Sequence, residues 1–499
     1  MKRTLFVLAC YLAVVSTNAQ TKRLDLFQCF EIASDSSLQA FQVKNNYLSG
    51  YWAYRTFKVS RLPQINMSIS PLNYNNYITQ RYDYNQNIDV FRSQQSLSSS
   101  AGVSISQLLE ATGGTFSVGS DLGYLRNIGE YNYSQFSTTP LQVGYSQTIF
   151  GFNASKWEKK IEPLKFEQVK KQLVSEIEGI SENVIQLFFA LALSQKEHEM
   201  ALQNILTTDT LYCVGLERQK ISAISQADIL TLELDLLNAK NVLKNIELGL
   251  KQSEFNLLSF LSIREEGSMQ LVLPSTLQSV LIDKEEALSY AKENNPAFLS
   301  SKRVLLEVDK EIESIKKQNS ISVGVSAGVG FNQAAASLKG AYQDPSQQQR
   351  VSVSLSMPIF DWGLNKGRLM MAKNKREITI ESVKQEEERM VQEIFAAVDN
   401  FNLQQELISS AEKALELSEK AYINTKQRFI IGKADVNSVS VASNRYKETQ
   451  RNYINTLGRY WSSYYKIRKL THYDFAHNEK LTSLLGEDIN KYYLYGRKR

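Results

Sequence analysis

Between Ile321 and Phe331 the chain reads ISVGVSAGVGF. Val323, Val325, Ala327, Val329 and Phe331 fall on one side of an extended backbone, and Ser322, Gly324, Ser326, Gly328 and Gly330 on the other. Val351, Val353, Leu355, Met357 and Ile359 alternate in the same way with Ser352, Ser354 and Ser356. Earlier, Ile65, Met67 and Ile69 alternate with Asn66, Ser68 and Ser70, and Leu141, Val143 and Tyr145 with Gln142, Gly144 and Ser146. A period of two predicts strands with one apolar and one small polar face. Two environments suit such a strand: a soluble sandwich with the apolar side inward, or a membrane barrel with that side towards lipid. A second face made of Ser and Gly favours the barrel, because it suits a polar lumen. Ala101 to Leu109 and Thr115 to Leu125 flank Ala111-Thr112-Gly113-Gly114 and read as an additional hairpin. We place this hairpin (98–125) as an extension on the outer rim, beside an exposed Tyr/Asn-rich loop at Asn73 to Asn87.

A different period follows each strand pair. Leu173, Ile177, Ile180, Val184, Leu187 and Leu191 are spaced by alternating steps of four and three, as are Val391, Ile394, Val398, Phe401, Gln405 and Ile408. Heptad spacing of this kind predicts coiled coil. The first such helix runs from Asn153 to Lys220, about 68 residues or roughly 100 Å at ~1.5 Å per residue, too long for a compact domain. Two shorter helices, near Ser225 to Ile263 and Asp283 to Gln318, match its length when placed end to end. The best apolar run after the leader, Val184 to Leu193, has only about ten residues and falls short of the ~18–20 of a membrane helix. A membrane crossing would therefore require a closed barrel.

The chain also repeats. Ile149 within QTIFGFN corresponds to Ile359 within MPIFDWG, and Ser222 within SAISQAD to Gly432 within GKADVNS, each pair 210 positions apart. A looser pair, Leu26 to Leu38 against Lys284 to Phe298, is offset by nearer 259, so the first copy carries an insertion of roughly 50 residues. The organisation read from this is a leader (1–19), repeat 1 (20–264), a connector with Gly267 and Pro274 (265–281), repeat 2 (282–480) and a tail (481–499). Each repeat runs helix, strand pair, long helix, return helix. The leader has Lys2 and Arg3, an apolar stretch from Leu5 to Val15 and the small-residue site Thr17-Asn18-Ala19, as in a secretory signal. A rival reading takes Val7-Leu8-Ala9-Cys10 as a lipoprotein box.

Composition narrows the classes. The 499 residues include 23 Gly, 8 Pro, 3 Cys and 3 His, which excludes low-complexity, disulfide-dense and His-rich metal proteins. Without the leader, 55 basic residues face 52 acidic ones, too mild a balance to suggest a nucleic-acid partner. Tyr (25) exceeds Phe (22), as at membrane–water boundaries. Tyr74, Tyr77, Tyr145, Trp157 and Trp362 read either as interfacial anchors or as ordinary packing. Cys29 and Cys213 read as core thiols. No phosphate loop, metal spacing or convergent polar cluster points to an enzyme, a cofactor or a metal.

Four barrel strands per chain cannot close, since the smallest membrane barrels have about eight. Identical copies must share one wall of 8, 12 or 16 strands, continued by a hollow cylinder of helices. At this point the residues resemble a family. Pro358-Ile359-Phe360-Asp361-Trp362-Gly363, Glu285-Glu286-Ala287-Leu288 through Asn294-Asn295-Pro296, and Arg428-Phe429 through Gly432 with Ala442 resemble the strand-to-helix junction, repeat-opening helix and helical tip of the TolC-like outer-membrane efflux family. The resemblance implies a mixed α/β membrane protein of the Gram-negative outer membrane: a homotrimer with a 12-stranded β-barrel, continued by an antiparallel coiled-coil α-barrel in the periplasm. It implies a passive conduit of a tripartite efflux or type I secretion system, with a periplasmic adaptor and an inner-membrane pump as partners and outer-membrane lipid around it. The competing class is a coiled-coil surface fibre or adhesin with a β head.

Site expectations follow. Arg218, Lys220, Asp228, Arg428, Lys433 and Asp435 lie at the helical tips. They read either as a gate of ion pairs and hydrogen bonds or as solvated charge of little energetic weight. Ser222, Ala223, Gly432 and Ala434 are small enough for a partner helix to approach, while Gly432 also suits a helix cap. Phe150, Gly151, Pro358, Phe360 and Gly363 mark the strand-to-helix junctions. Asp228 occupies the place where the family carries acidic residues just past the tip, but its second-copy counterpart is Ser438.

Overall fold

The computed structural model describes residues 22–481 except 85–86, 129–131, 221–223, 264–268 and 278–279. The leader, Cys10, Ser222, Ala223 and nearly all of the tail lie outside the described residues. The chain divides into two compact units. A helical unit comprises the described residues up to Ser49, Val169–Phe298 and those from Glu386, and a sheet-bearing unit comprises Gly50–Gln168 and Leu299–Gln385.

In chain order the elements are β1 (Lys22–Asp25), α1 (Leu26–Ser36), α2 (Leu38–Val59), β2 (Gln64–Asp83), β3 (Ile88–Leu108), β4 (Thr115–Ile128), β5 (Tyr133–Ile149), α3 (Ala154–Lys220) and α4 (Gln226–Leu261). Then come β6 (Met269–Val272), α5 (Lys284–Asn294), α6 (Pro296–Gln318), β7 (Ser322–Ala335), β8 (Ser346–Ser356), α7 (Leu364–Ile430) and α8 (Val436–Thr471), with the short β9 (Tyr473–Asp474) and β10 (Glu479–Lys480) last. Helices α3 and α7 both have 67 residues, α4 and α8 both have 36, and each pair starts 210 positions apart. The repeat-opening helix expected as one piece is two. Asn295 is extended because Pro296 follows it and clashes with a helical conformation at the preceding residue. Ser37 breaks the first copy at the matching point without a proline, its hydroxyl accepting from the Ala40 amide.

The helical unit is held by the heptad stripe. Leu173, Ile180, Val184 and Leu191 of α3 pack with Ile394, Val398, Phe401 and Ile408 of α7 and with Tyr460, Trp461 and Tyr464 of α8 in one buried cluster. By length and composition one window of α3 is apolar enough to cross a membrane, and half of it is buried. The apolar stretch there is thus longer than the run of about ten expected, and its buried half belongs to the core stripe. Gln195 clamps the connector, donating to the Met269 carbonyl and accepting from the Leu271 amide (2.6 and 3.1 Å). Gln405, which sits 210 positions on, does the same to Val280 (2.6 and 3.2 Å). The polar residue in the second heptad series is thus an anchor. A buried charge centre joins α3 to α8: Arg468 grips Glu178 with two hydrogen bonds (3.0 and 3.1 Å) and reaches Asp474 at 2.7 Å. Cys29 is buried, and burial pushes its thiol up to about 12. Cys213, expected in the core, is exposed, because it faces outward from the last turns of α3.

The sheet unit joins the four expected strands and the two of the additional hairpin in one sheet. One antiparallel sheet has six strands in the order β2-β3-β4-β5-β7-β8. The additional hairpin is not an extension on the rim: β3 and β4 lie between β2 and β5, because β3 pairs with β2 on one side and β4 on the other. The Tyr/Asn-rich segment is strand rather than loop as far as Asp83, with Tyr74 opposite Leu97 and Asn76 opposite Gln95. Pro71 is tolerated on edge strand β2 at a register shift, and Pro140 within β5 at another, where no ladder amide is needed.

Candidate functional site at the helical turns

The turns joining α3 to α4 and α7 to α8 share a small core of their own. Leu211, Ile229, Leu232, Phe429 and Val439 are buried together, with Ile224, Ala434 and Val436 packed against them. Gly215 permits this. A Cβ there would lie 2.7 Å from Leu232 Cδ1 and 3.1 Å from Ile229 Cδ1, so only glycine lets α4 come this close to α3. Gly432 adopts φ +80°, the left-handed conformation that ends α7, and the Lys433 amide donates back to the Arg428 carbonyl at 2.8 Å.

Around this core five of the six expected tip residues, Arg218, Asp228, Arg428, Lys433 and Asp435, line one cleft of ≈ 1310 Å³. Lys220 does not line it and pairs within its own helix with Glu217 at 2.6 Å. The tie between the two turns is Arg218, whose Nη2 donates to the Phe429 carbonyl at 2.8 Å while the guanidinium lies 4.9 Å from the centre of the Phe429 ring. Phe429 is the residue that reading for charge missed; its signal was the Arg-Phe pair preceding Gly432. The acidic residues are helix caps. Ser225 caps α4 by accepting from the Asp228 amide (3.2 Å), and Asp228 answers by accepting from the Ser225 amide and hydroxyl (3.2 and 2.6 Å). In the second copy Asp435 is the cap and accepts from the Ser438 amide at 2.7 Å. Positions 225 and 435 correspond, as do 228 and 438, so the copies hold Ser and Asp in exchanged places. Hydrogen bonds from Ser438 hold the Asp435 carboxyl below its ordinary range. Of the four small residues expected to receive a partner, Ala434 turns into the tip core and Gly432 caps α7.

At the junctions Phe150 and Gly151 lie between β5 and α3, and Pro358, Phe360 and Gly363 between β8 and α7. Phe150 (φ 65°) and Gly363 (φ +83°) take left-handed turns. Asn153 caps α3 by accepting from the Lys156 amide (3.2 Å), and Asp361 caps α7 by accepting from the Asn365 amide (2.9 Å). Gly151 lies against Thr148, where a Cβ would come to 2.8 Å of its methyl. Pro358 ends the ladder beyond β8, and Phe360 is largely exposed and meets Trp362 edge to face at 4.6 Å. Trp157 donates to Glu313 at 2.9 Å, the ordinary packing of the two readings, while Tyr74 and Tyr77 stand exposed on β2.

Long paired helices and an amphipathic sheet define a class, and comparison with solved structures agrees. The fold is that of the Campylobacter jejuni CmeC outer membrane channel (TM-score 0.67, 12% identity, covering 95% of this chain and 90% of that one). It is also that of the Vibrio cholerae outer membrane protein VceC (0.62, 14%, 89% and 95%) and the Neisseria gonorrhoeae MtrE outer membrane channel (0.58, 13%, 89% and 88%). Residues 287–471 match the outer membrane efflux protein family. No curated protein sequence matches the chain. The matched stretch covers most of the second repeat, so that part of the chain is similar to outer membrane efflux proteins and the fold to that of outer membrane channels, in line with the resemblance read from the sequence.

Proposed function

We propose that the chain is the outer-membrane component of a tripartite efflux or type I secretion system. Three copies share one β-barrel, and the tube conducts solutes passively from periplasm to exterior. An adaptor and an inner-membrane pump engage it, and its resting state is closed at the helical turns. The observation that carries the reading is the sheet with two unlike faces. Ile65, Ile105, Val118, Val143 and Val329 follow one another across five neighbouring strands on one face. Ser104, Gly119, Gln142, Gly330 and Gln348 do so on the other. An apolar face that suits lipid, opposite a small polar face that suits water, is what a channel wall requires. The Arg218–Phe429 tie and the capped turns support the gate.

The test is outer-membrane fractionation, mass determination in detergent and single-channel recording of the purified protein. A trimer with defined, low basal conductance is expected. A monomer, or an outer-membrane fibre without conductance, would end the proposal.

A further inference from the structure

We propose that hairpin β3–β4 is part of the membrane wall, so that each copy brings six strands and the trimer closes an 18-stranded barrel rather than one of 12. The proposal rests on the trimer reading above. Three observations carry it.

The first is length. The six strands have 11 to 21 residues, and β4 has 14. A tilted membrane strand needs about 9–11, so every strand, the hairpin's two included, is long enough to cross.

The second is where the hairpin turns. Its closing turn is fastened to the strand-to-helix junctions: Glu110 pairs with Arg61 and, at 3.1 Å, with Lys159, and its carbonyl accepts from Asn153 at 3.2 Å. The chain thus runs from the helix end to the far end in β2, back in β3, out again in β4 and back in β5. A decoration on the outer rim would turn at the far end and leave β2 beside β5.

The third is register. In its half nearer the closing turn the hairpin carries both faces of the wall in register, Ile105 and Val118 on the apolar side and Ser104 and Gly119 on the polar side. A one-residue slip would have exchanged them.

Alternating direction leaves β2 and β8 antiparallel at the two edges. Among the described residues β2 pairs only with β3 and β8 only with β7. Ile65 and Val353 on these edges are 71% and 65% exposed. The β2 edge of one copy therefore fits the β8 edge of the next, and closure removes backbone groups that lipid cannot satisfy. With strands ~4.8 Å apart and tilted ~40°, the wall radius is about 18 Å for 18 strands against about 12 Å for 12. The chemistry of the cargo is unaltered by this, but its permitted girth rises about 1.5-fold at the outer membrane.

The experiment compares the intact protein with a deletion of residues 88–128, which leaves β2 free to pair with β5. The size of polyethylene glycol that enters from the outer side is read in planar bilayers. Entry from that side reports the barrel, whereas total conductance also reports the helical turns. The intact protein should admit polymers about 1.5-fold larger in radius than the deletion trimer; equal limits would overturn the proposal. Should the deletion not assemble, Ile105→Arg and Ser104→Arg decide. Loss of trimer for the first alone is expected, and normal trimer for both would place the hairpin outside lipid. An intact protein that is neither trimeric nor conducting would instead sink the channel reading, a result distinct from either of these.

Discussion

Arg218 of α3 reaches across to α7 and touches Phe429 twice, by a hydrogen bond to its carbonyl oxygen at 2.8 Å and by placing its guanidinium over the ring at 4.9 Å. It is a charged side chain satisfied by a dipole and a π face rather than by a carboxylate. A ligand that offers a better partner could displace it without leaving a buried anion behind.

Removal of this tie by Arg218→Ala should cost about 1–3 kcal/mol and raise basal conductance in bilayers. Unchanged conductance would reject Arg218 as part of the closure. Arg428→Ala removes a second charge from the same cleft and is expected to act in the same direction. Asp228→Ala acts differently: it opens the capping box of α4, at about 1 kcal/mol, and should raise conductance less than Arg218→Ala does.

Gly215→Val places carbon where Leu232 and Ile229 already stand. Overpacking of this kind costs about 1–3 kcal/mol. The turn should become sensitive to protease in the folded protein, with cleavage between residues 216 and 226. A variant as resistant as the parent would mean that α4 shifts freely.

Val353→Arg on the apolar face of β8 should cost about 2–4 kcal/mol at mid-membrane and lower trimer yield, while Ser354→Arg on the other face should leave assembly intact. The reverse outcome would show the faces to be inverted.

His472 is buried and its Nε2 lies 2.7 Å from the Ser175 hydroxyl. Burial, helped by Lys171, lowers its pKa from 6.5 to about 4. A base lowered in the folded state stabilises fully above its unfolded pKa. That contribution, about 3 kcal/mol, should be lost as pH falls from about 6.5 to 4. Thermal melts followed by helical circular dichroism, with His472→Gln as reference, check the sign. Equal pH dependence in both proteins would show that His472 titrates normally.

Much of this molecule is legible along the chain. Ser322 to Gly330 and Val351 to Ser356 announce strands because side-chain direction alternates with each residue. Leu173 through Leu191 announces coiled coil because a heptad returns to one helix face. The 210-residue offset of Gln195 from Gln405 and of Ser225 from Asp435 is visible in the sequence, but that each pair does one job became visible only with hydrogen bonds. Cys213 misled because an isolated thiol on a helix carries no indication of its face. The turn cleft was foreseen in its charges and not in its mechanism, since Phe429 joins Arg218 across 211 positions.

Period, repeat and membrane-compatible polarity were set by the sequence alone, because each is a relation between near neighbours on a backbone of fixed geometry. That β3 and β4 enter the sheet between β2 and β5 was decided only by tertiary structure. Strands with identical alternation can pair in several orders, and the choice depends on distant anchors such as Arg61 and Lys159 on Glu110.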